Sequence, residues 1–245
     1  MKNLINMPLP EDSMIRRFKG VFEAFKKGQS ATMIGLPYCG KSSFFRALIE
    51  SNNQLTQKIS NNTKLTFIFI DNYTGEKTAI GFKNYIISSF NQKINQNDQK
   101  VDLQTFLNIE NYIKTLENNE RIVFVIFGID DYANNYPDLI KVLREMYYSL
   151  HSKSANSKNN LCFFFIGEPT ILNNPNTSDI QSIIHQNIFY FEPLVSEKLN
   201  YVRKRFQQNE IFKLNDEEHK IISKYSGGHY YLYKTISKDY LRRII

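Results

Sequence analysis

Read as a pattern of apolar and polar positions, the chain breaks into short, dense apolar runs separated by stretches of helical period. The runs are Ala31–Ile34, Leu65–Ile70, Ile122–Phe127, Leu161–Ile166 and Ile188–Phe191. Each is nearly continuous in apolar residues and rich in Ile, Val or Phe, as strands buried on both faces of a parallel sheet are. Helical patterns of crossover length lie between them. Lys77–Ile94 and Asp102–Leu116 both separate the second and third runs, and Pro137–Leu150 and Thr177–Ile184 follow later. This alternation predicts an α/β fold, a three-layer αβα sandwich on a five-stranded parallel sheet.

Ahead of the first run, Ser13 is placed to cap a helix that carries Met14, Phe18, Val21, Phe22 and Phe25 on one face and ends at Gly28. Met7-Pro8-Leu9-Pro10 is expected to be extended, because a residue before proline is steered away from helix. After Pro193 the strand pattern stops. Ser196–Gln208, Asp216–Tyr225 and His229–Ile244 read as three helices, with Gly227-Gly228 between the last two. The expected organisation is a core over 1–194 and a small helical lid over 195–245. The pattern ends on a helix, which leaves room for a further domain beyond Ile245. No internal repeat is visible.

The chemistry concentrates after the first run. Gly35-Leu36-Pro37-Tyr38-Cys39-Gly40-Lys41-Ser42 matches G-x-x-x-x-G-K-S, followed by the helical pattern Ser43–Ile49. Strand, glycine-rich loop and helix start together make a P-loop, the phosphate-binding turn of P-loop NTPases. The main-chain amides from Gly35 through Ser43 are expected to close around a polyphosphate, aided by the positive end of the helix. Lys41 is expected to reach the β- and γ-phosphates, and the Ser42 hydroxyl to sit on Mg²⁺. A nucleoside triphosphate is the expected ligand. A plain glycine turn opening a helix would need neither the lysine nor the serine. Cys39, beside the helix start, is either a reactive thiol or a small residue that fits.

Composition narrows the class. With 245 residues, 42 % hydrophobic, 19 Phe and 15 Tyr, the chain can bury a sizeable core and is not a disordered sequence. No apolar run approaches the roughly 18 residues of a membrane span, and the first residues lack the features of a signal peptide. Two cysteines, Cys39 and Cys162, do not make a disulfide framework, and a reducing cytoplasm fits. The formal charge of +7 admits DNA or an acidic protein partner without requiring either. The densest basic cluster is Arg203-Lys204-Arg205, which also reads as a solvated surface. Asn52-Asn53, Asn61-Asn62 and Asn118-Asn119 read as loop bias. His151, His185 and His219 lack metal-like spacing.

The order of P-loop, late apolar strand followed by acids, a further apolar strand, and three helices with Gly227-Gly228-His229 resembles AAA+-related ATPases. Within them it is most similar to the origin-recognition-type initiator ATPases and the STAND-class ATPases. The resemblance covers roughly residues 8 to 245, and its specific motif is the phosphate loop. It implies ATP and Mg²⁺ as cofactors, an adenine nucleotide bound partly by the lid, and nucleotide-dependent oligomers. Two alignments of Ile122–Asp131 compete. If the strand runs through Ile129, Asp130 is the Mg²⁺ acid and Asp131 polarises the attacking water, like the paired aspartates of STAND proteins. If it stops at Phe127, then Phe127-Gly128 replace the family's Asp-Glu pair, and Asp130 is only a third acid.

Other departures imply weak hydrolysis. Where the family places a polar sensor or arginine after the fourth strand, this chain has Gly167-Glu168-Pro169-Thr170, and no Arg or Lys occurs between Lys158 and Lys198. A donated arginine is worth about 10³–10⁵ in rate in nucleotide hydrolases. Arg203 and Arg205, at the start of the helical lid, read either as a substitute for it or, more in keeping with their position, as surface residues. Tyr230 stands where the family has proline in its nucleotide-sensing turn, while His229 stays placed to approach the phosphates. Guanine-reading, ABC-type and small-molecule-kinase motifs are missing from the sequence, which favours adenine. The expected function is an ATP-binding switch with slow hydrolysis, linked to DNA or a protein partner. The alternative is a binding module that has lost hydrolysis.

Overall fold

The computed structural model describes residue 9 and residues 11–51, 63–70, 78–95, 102–151, 160–208 and 213–242. Most of the Met7–Pro10 segment and the pairs Asn52-Asn53 and Asn61-Asn62 fall outside them. The chain forms two compact units, one of Lys19–Ile34 with Gln54–Tyr190, the other of Met1–Phe18, Gly35–Asn53 and Phe191–Ile245. Helix α1 (Glu11–Lys26) runs from the second into the first.

The first unit holds a sheet of five strands among the described residues: β1 (Ala31–Ile34), β2 (Lys64–Ile70), β3 (Glu120–Phe127), β4 (Leu161–Gly167) and β5 (Ile188–Tyr190). All pairings are parallel, in the order β2-β3-β4-β1-β5. The apolar runs are continuous because both faces are covered. On one face Phe22 and Phe25 of α1 meet Phe67 and Phe164 edge-on, at ring separations of 5.5–6.1 Å. On the other, Phe124, Phe163 and Phe165 stack under α3 (Ala79–Asn95), α4 (Phe106–Lys114) and α6 (Pro137–His151), with Phe90 and Tyr147 in ring contact. Helix, sheet and helix are the three layers.

The elements differ from expectation where side-chain roles outweigh local pattern. Ser13 is not a cap: α1 starts at Glu11, and Ser13 is buried within it. Thr105 caps α4, its hydroxyl accepting from the Asn108 N–H, so that helix starts later than the apolar pattern suggests. Thr177–Ile184 is not one helix. Pro169 and Pro175 open two 3₁₀ turns before a single turn, α7 (Gln181–Ile184). A short helix, α5 (Ile129–Asn135), follows β3 directly.

The second unit holds α2 (Lys41–Ser51) and the C-terminal helices α8 (Ser196–Gln208), α9 (Asp216–Ser226) and α10 (Tyr230–Arg242). Helix α9 starts on a capping box in which the Asn215 side chain accepts from the Glu218 N–H and the Glu218 carboxylate accepts from the Asn215 N–H. Tyr233 is fully buried and its hydroxyl lies 2.7 Å from His219 Nδ1. Burial, followed by the nearby Arg203 charge, lowers the His219 pKa, and burial pushes the Tyr233 phenol up to about 12. The neutral imidazole therefore accepts from the phenol. With the folded value below the unfolded one of 6.5, the unfolded chain takes up the proton first. Stability is complete above that value and falls as pH drops through it. His219→Gln should flatten the fall of the urea midpoint between about pH 7 and pH 5.

Candidate functional site

The chain leaves β1 at Ile34, and Gly35–Gly40 leads into α2 at Lys41. Two residues of this loop hold left-handed backbone, Tyr38 at φ 57° and Gly40 at φ 96°. Gly40 is required for a second reason, since a Cβ there would stand 2.7 Å from the Phe44 ring. The first-turn amides of Lys41, Ser42 and Ser43 have no partners within the helix, and α2 carries no acidic residue there to offset its positive end. Lys41 is 8 % exposed, and its ammonium donates to the carbonyls of Gly35 and Leu36, at 2.8 Å each. The buried Cys39 thiol lies 3.7 Å from the same nitrogen. The loop thus carries a cation held by neutral acceptors, and phosphate oxygens would offer it stronger, charge-assisted ones.

The start of α10 closes on this loop. His229 lies with Nε2 2.7 Å from the Pro37 carbonyl, while its Nδ1 accepts from the Leu232 N–H at 3.4 Å. This arrangement suits a neutral ring that donates from Nε2. Beside it the Tyr38 and Tyr231 rings meet at 5.6 Å, and Tyr230 meets Phe44 edge-on at 5.5 Å. The sequence placed His229 toward the phosphates. Here it holds the backbone of the loop that would bind them. The turn before it depends on Gly228, at φ 81°, whose carbonyl accepts from the Leu194 N–H at 2.8 Å.

Sequence reasoning missed Arg17. From α1 its guanidinium donates to the Glu192 carbonyl at 2.6 Å and to the Pro193 carbonyl at 3.3 Å, and lies 4.8 Å above the Phe191 ring. Burial lowers its pKa, with the Glu192 charge opposing. No local signal marks it, because its partners lie 175 and 176 residues away. The Tyr38–Tyr231 pair was equally invisible.

The acidic residues belong to the sheet-bearing unit. Of the two strand ends the sequence left open, the structure has the shorter: β3 stops at Phe127, and Gly128 turns at φ 65° into α5. Phe127 is buried and stacks on Phe69, the rings 5.8 Å apart and 8° from parallel. Asp130 and Asp131 lie in the first turn of α5. Asp130 Oδ1 accepts from the Glu168 N–H at 3.0 Å, and Asp131 Oδ1 from the Asn135 side chain at 2.6 Å. Among the described residues no group of three or more His, Cys, Asp or Glu converges as a metal site. No described helix is long and apolar enough to cross a membrane.

Comparison with known structures agrees with this architecture. The Aeropyrum pernix ORC1 protein in complex with DNA matches over 97 % of this chain at a TM-score of 0.57 and 13 % identity. The chain shares the fold of that protein. A Walker-type ATPase of Pyrococcus abyssi matches over 96 % of the chain at a TM-score of 0.58 and 14 % identity. Cdc6p from Pyrobaculum aerophilum matches over 82 % at a TM-score of 0.50 and 16 % identity. The chain spans 61 %, 70 % and 50 % of those three proteins respectively. No protein-family model matches it, and no curated protein matches it in sequence.

Proposed function

We propose that the chain is a cytoplasmic, adenine-nucleotide-binding module in which MgATP acts as the ligand of a switch and is turned over slowly or not at all. The observation that carries this reading is the Lys41 ammonium folded among the loop carbonyls at the start of α2, where no acidic residue offsets the helix's positive end. The amides from Gly35 to Ser43 would take the phosphates, and the Ser42 hydroxyl would take the cation. Mg²⁺ would neutralise charge on the bound triphosphate. The switching element is the turn at Gly228–His229. His229 holds Pro37, so phosphates that reshape the loop would bias that contact.

Slow turnover is supported by Phe127 and Gly128 at the strand end and by the backbone partner already held by Asp130. With β3 ending at Phe127, Asp130 is left as the third acid of the initiator-type pattern, and a metal role for it is what its alanine variant tests. Calorimetric titration with MgATP tests the binding, and single-turnover phosphate release tests the chemistry. The expected rate is on the order of 10⁻³ s⁻¹ or slower, as for nucleotide hydrolases without an arginine finger. A further fall in Asp130→Ala would assign it the metal role, and equal rates would leave a binding module. Turnover above about 1 s⁻¹ by the chain alone would sink the slow reading.

A link to DNA, within a nucleotide-dependent oligomer, is the second reading. The net charge of +7 and the fold shared with a protein seen in complex with DNA favour it. Against it, Arg203 of the densest basic cluster is ion-paired with Asp216 at 2.7 Å.

A further inference from the structure

An open groove of about 550 Å³ lies on the helical part of the second unit, away from every residue assigned above to phosphate or Mg²⁺. One wall is apolar: Val195, 58 % exposed, backed by Leu194 and Leu199, which are buried at 4 % and 2 %. The other is one face of α9, where His219, Lys220 and Lys224 look onto the groove. Lys220 and Lys224 are exposed and four residues apart, a like-charge spacing that costs an isolated helix a few tenths of a kcal/mol. Among the described residues neither lysine is ion-paired, and no carboxylate lines the groove. Two unneutralised cations beside an apolar wall fit a ligand with carboxylates on one side and large apolar groups on the other. We infer that this groove docks an acidic, leucine-bearing peptide segment of a partner protein, held as an amphipathic helix lies in a groove.

The floor of the groove connects it to the loop. Leu194 and Gly228 both line it, and the Leu194 N–H donates to the Gly228 carbonyl. The next residue, His229, holds the Pro37 carbonyl. A peptide seated on the exposed Val195 therefore acts next to Leu194, whose partner Gly228 precedes the His229 contact that sets the loop. This second step, a change in nucleotide affinity, rests on the phosphate-loop reading; the docking does not.

The test uses a fluorescein-labelled helical peptide with leucines on one face and glutamates on the other, its binding to the full chain read by anisotropy. The chain should bind it, and should ignore the version with lysine in place of glutamate. Lys220→Glu with Lys224→Glu should weaken binding by at least about tenfold, as reversing complementary charges does, and Val195→Asp should weaken it too. All three positions are exposed, and unchanged thermal unfolding will show that the variants fold. Absent binding, equal binding by the charge-reversed protein, or equal affinity for a leucine-free polyglutamate overturns the proposal. So does duplex DNA that displaces the peptide and itself loses affinity in the same variant, since the cations would then serve nucleic acid. Saturating peptide should shift MgATP affinity severalfold, and His229→Ala should remove the shift. Peptide binding by a chain that takes up no nucleotide would support the groove and sink the phosphate-loop reading.

Discussion

Replacing Lys41 with alanine should lower MgATP affinity by about a hundredfold or more in calorimetric titration, while the nucleotide-free protein keeps its unfolding temperature within a few degrees. Hydrogen bonds to charged groups contribute about 1.5–3 kcal/mol each, and this ammonium would make them to two phosphates. The free protein loses less, because the ammonium's present partners are two carbonyls of its own loop at 2.8 Å. Those carbonyls are left to water or to loop amides in the variant. The same experiment has a second readout. Excess MgATP should raise the unfolding temperature of the wild type, and the gain should vanish in Lys41→Ala. An unchanged affinity would mean that the loop is not the phosphate site.

Gly228→Ala should be the most damaging change of a single hydrogen to a methyl group in the second unit. At φ 81° an alanine is strained, and its Cβ would be driven into the carbonyl oxygen of Leu194, which is main chain and cannot rotate away. Strain of this kind costs on the order of 1–3 kcal/mol before the overlap is counted. The hydrogen bond between the Leu194 N–H and the Gly228 carbonyl would go with it. The expected result is a fall in the urea midpoint equivalent to at least about 3 kcal/mol, with nucleotide affinity reduced because His229 no longer meets Pro37. Gly227→Ala is the control. Its backbone is also left-handed, at φ 55°, but a Cβ there meets nothing within 4 Å. Its cost should stay near the strain alone, and equal losses in the two variants would refute the steric argument.

The strands were legible because burial on two faces leaves few polar positions inside them. Ala31–Ile34 and Ser196–Gln208 have the ends that their patterns gave. The turn from β1 into α2 was equally readable, since the glycine, lysine and serine that mark it sit at fixed positions in one short segment. What could not be read depends on distant partners. Ser13 looks like a cap until α1 is seen to start at Glu11. The end of β3 was ambiguous because Ile129 continues the apolar run, and only the left-handed turn at Gly128 assigns Ile129 to a helix. Pro169 and Pro175 broke a helical pattern that apolar spacing alone could not resolve. Arg17 and the Tyr38–Tyr231 pair leave no trace in periodicity.

The ring of Phe127, stacked on Phe69 where β3 ends, bears on how such a module would be reset. If cleavage is as inefficient as proposed, there would be no internal clock, and the occupied form would persist until its ligand departs. Occupancy then follows the surrounding concentration of ATP against ADP, and recovery follows the escape rate. Such a device is a gauge, emptied by exchange or by a partner that pries it open.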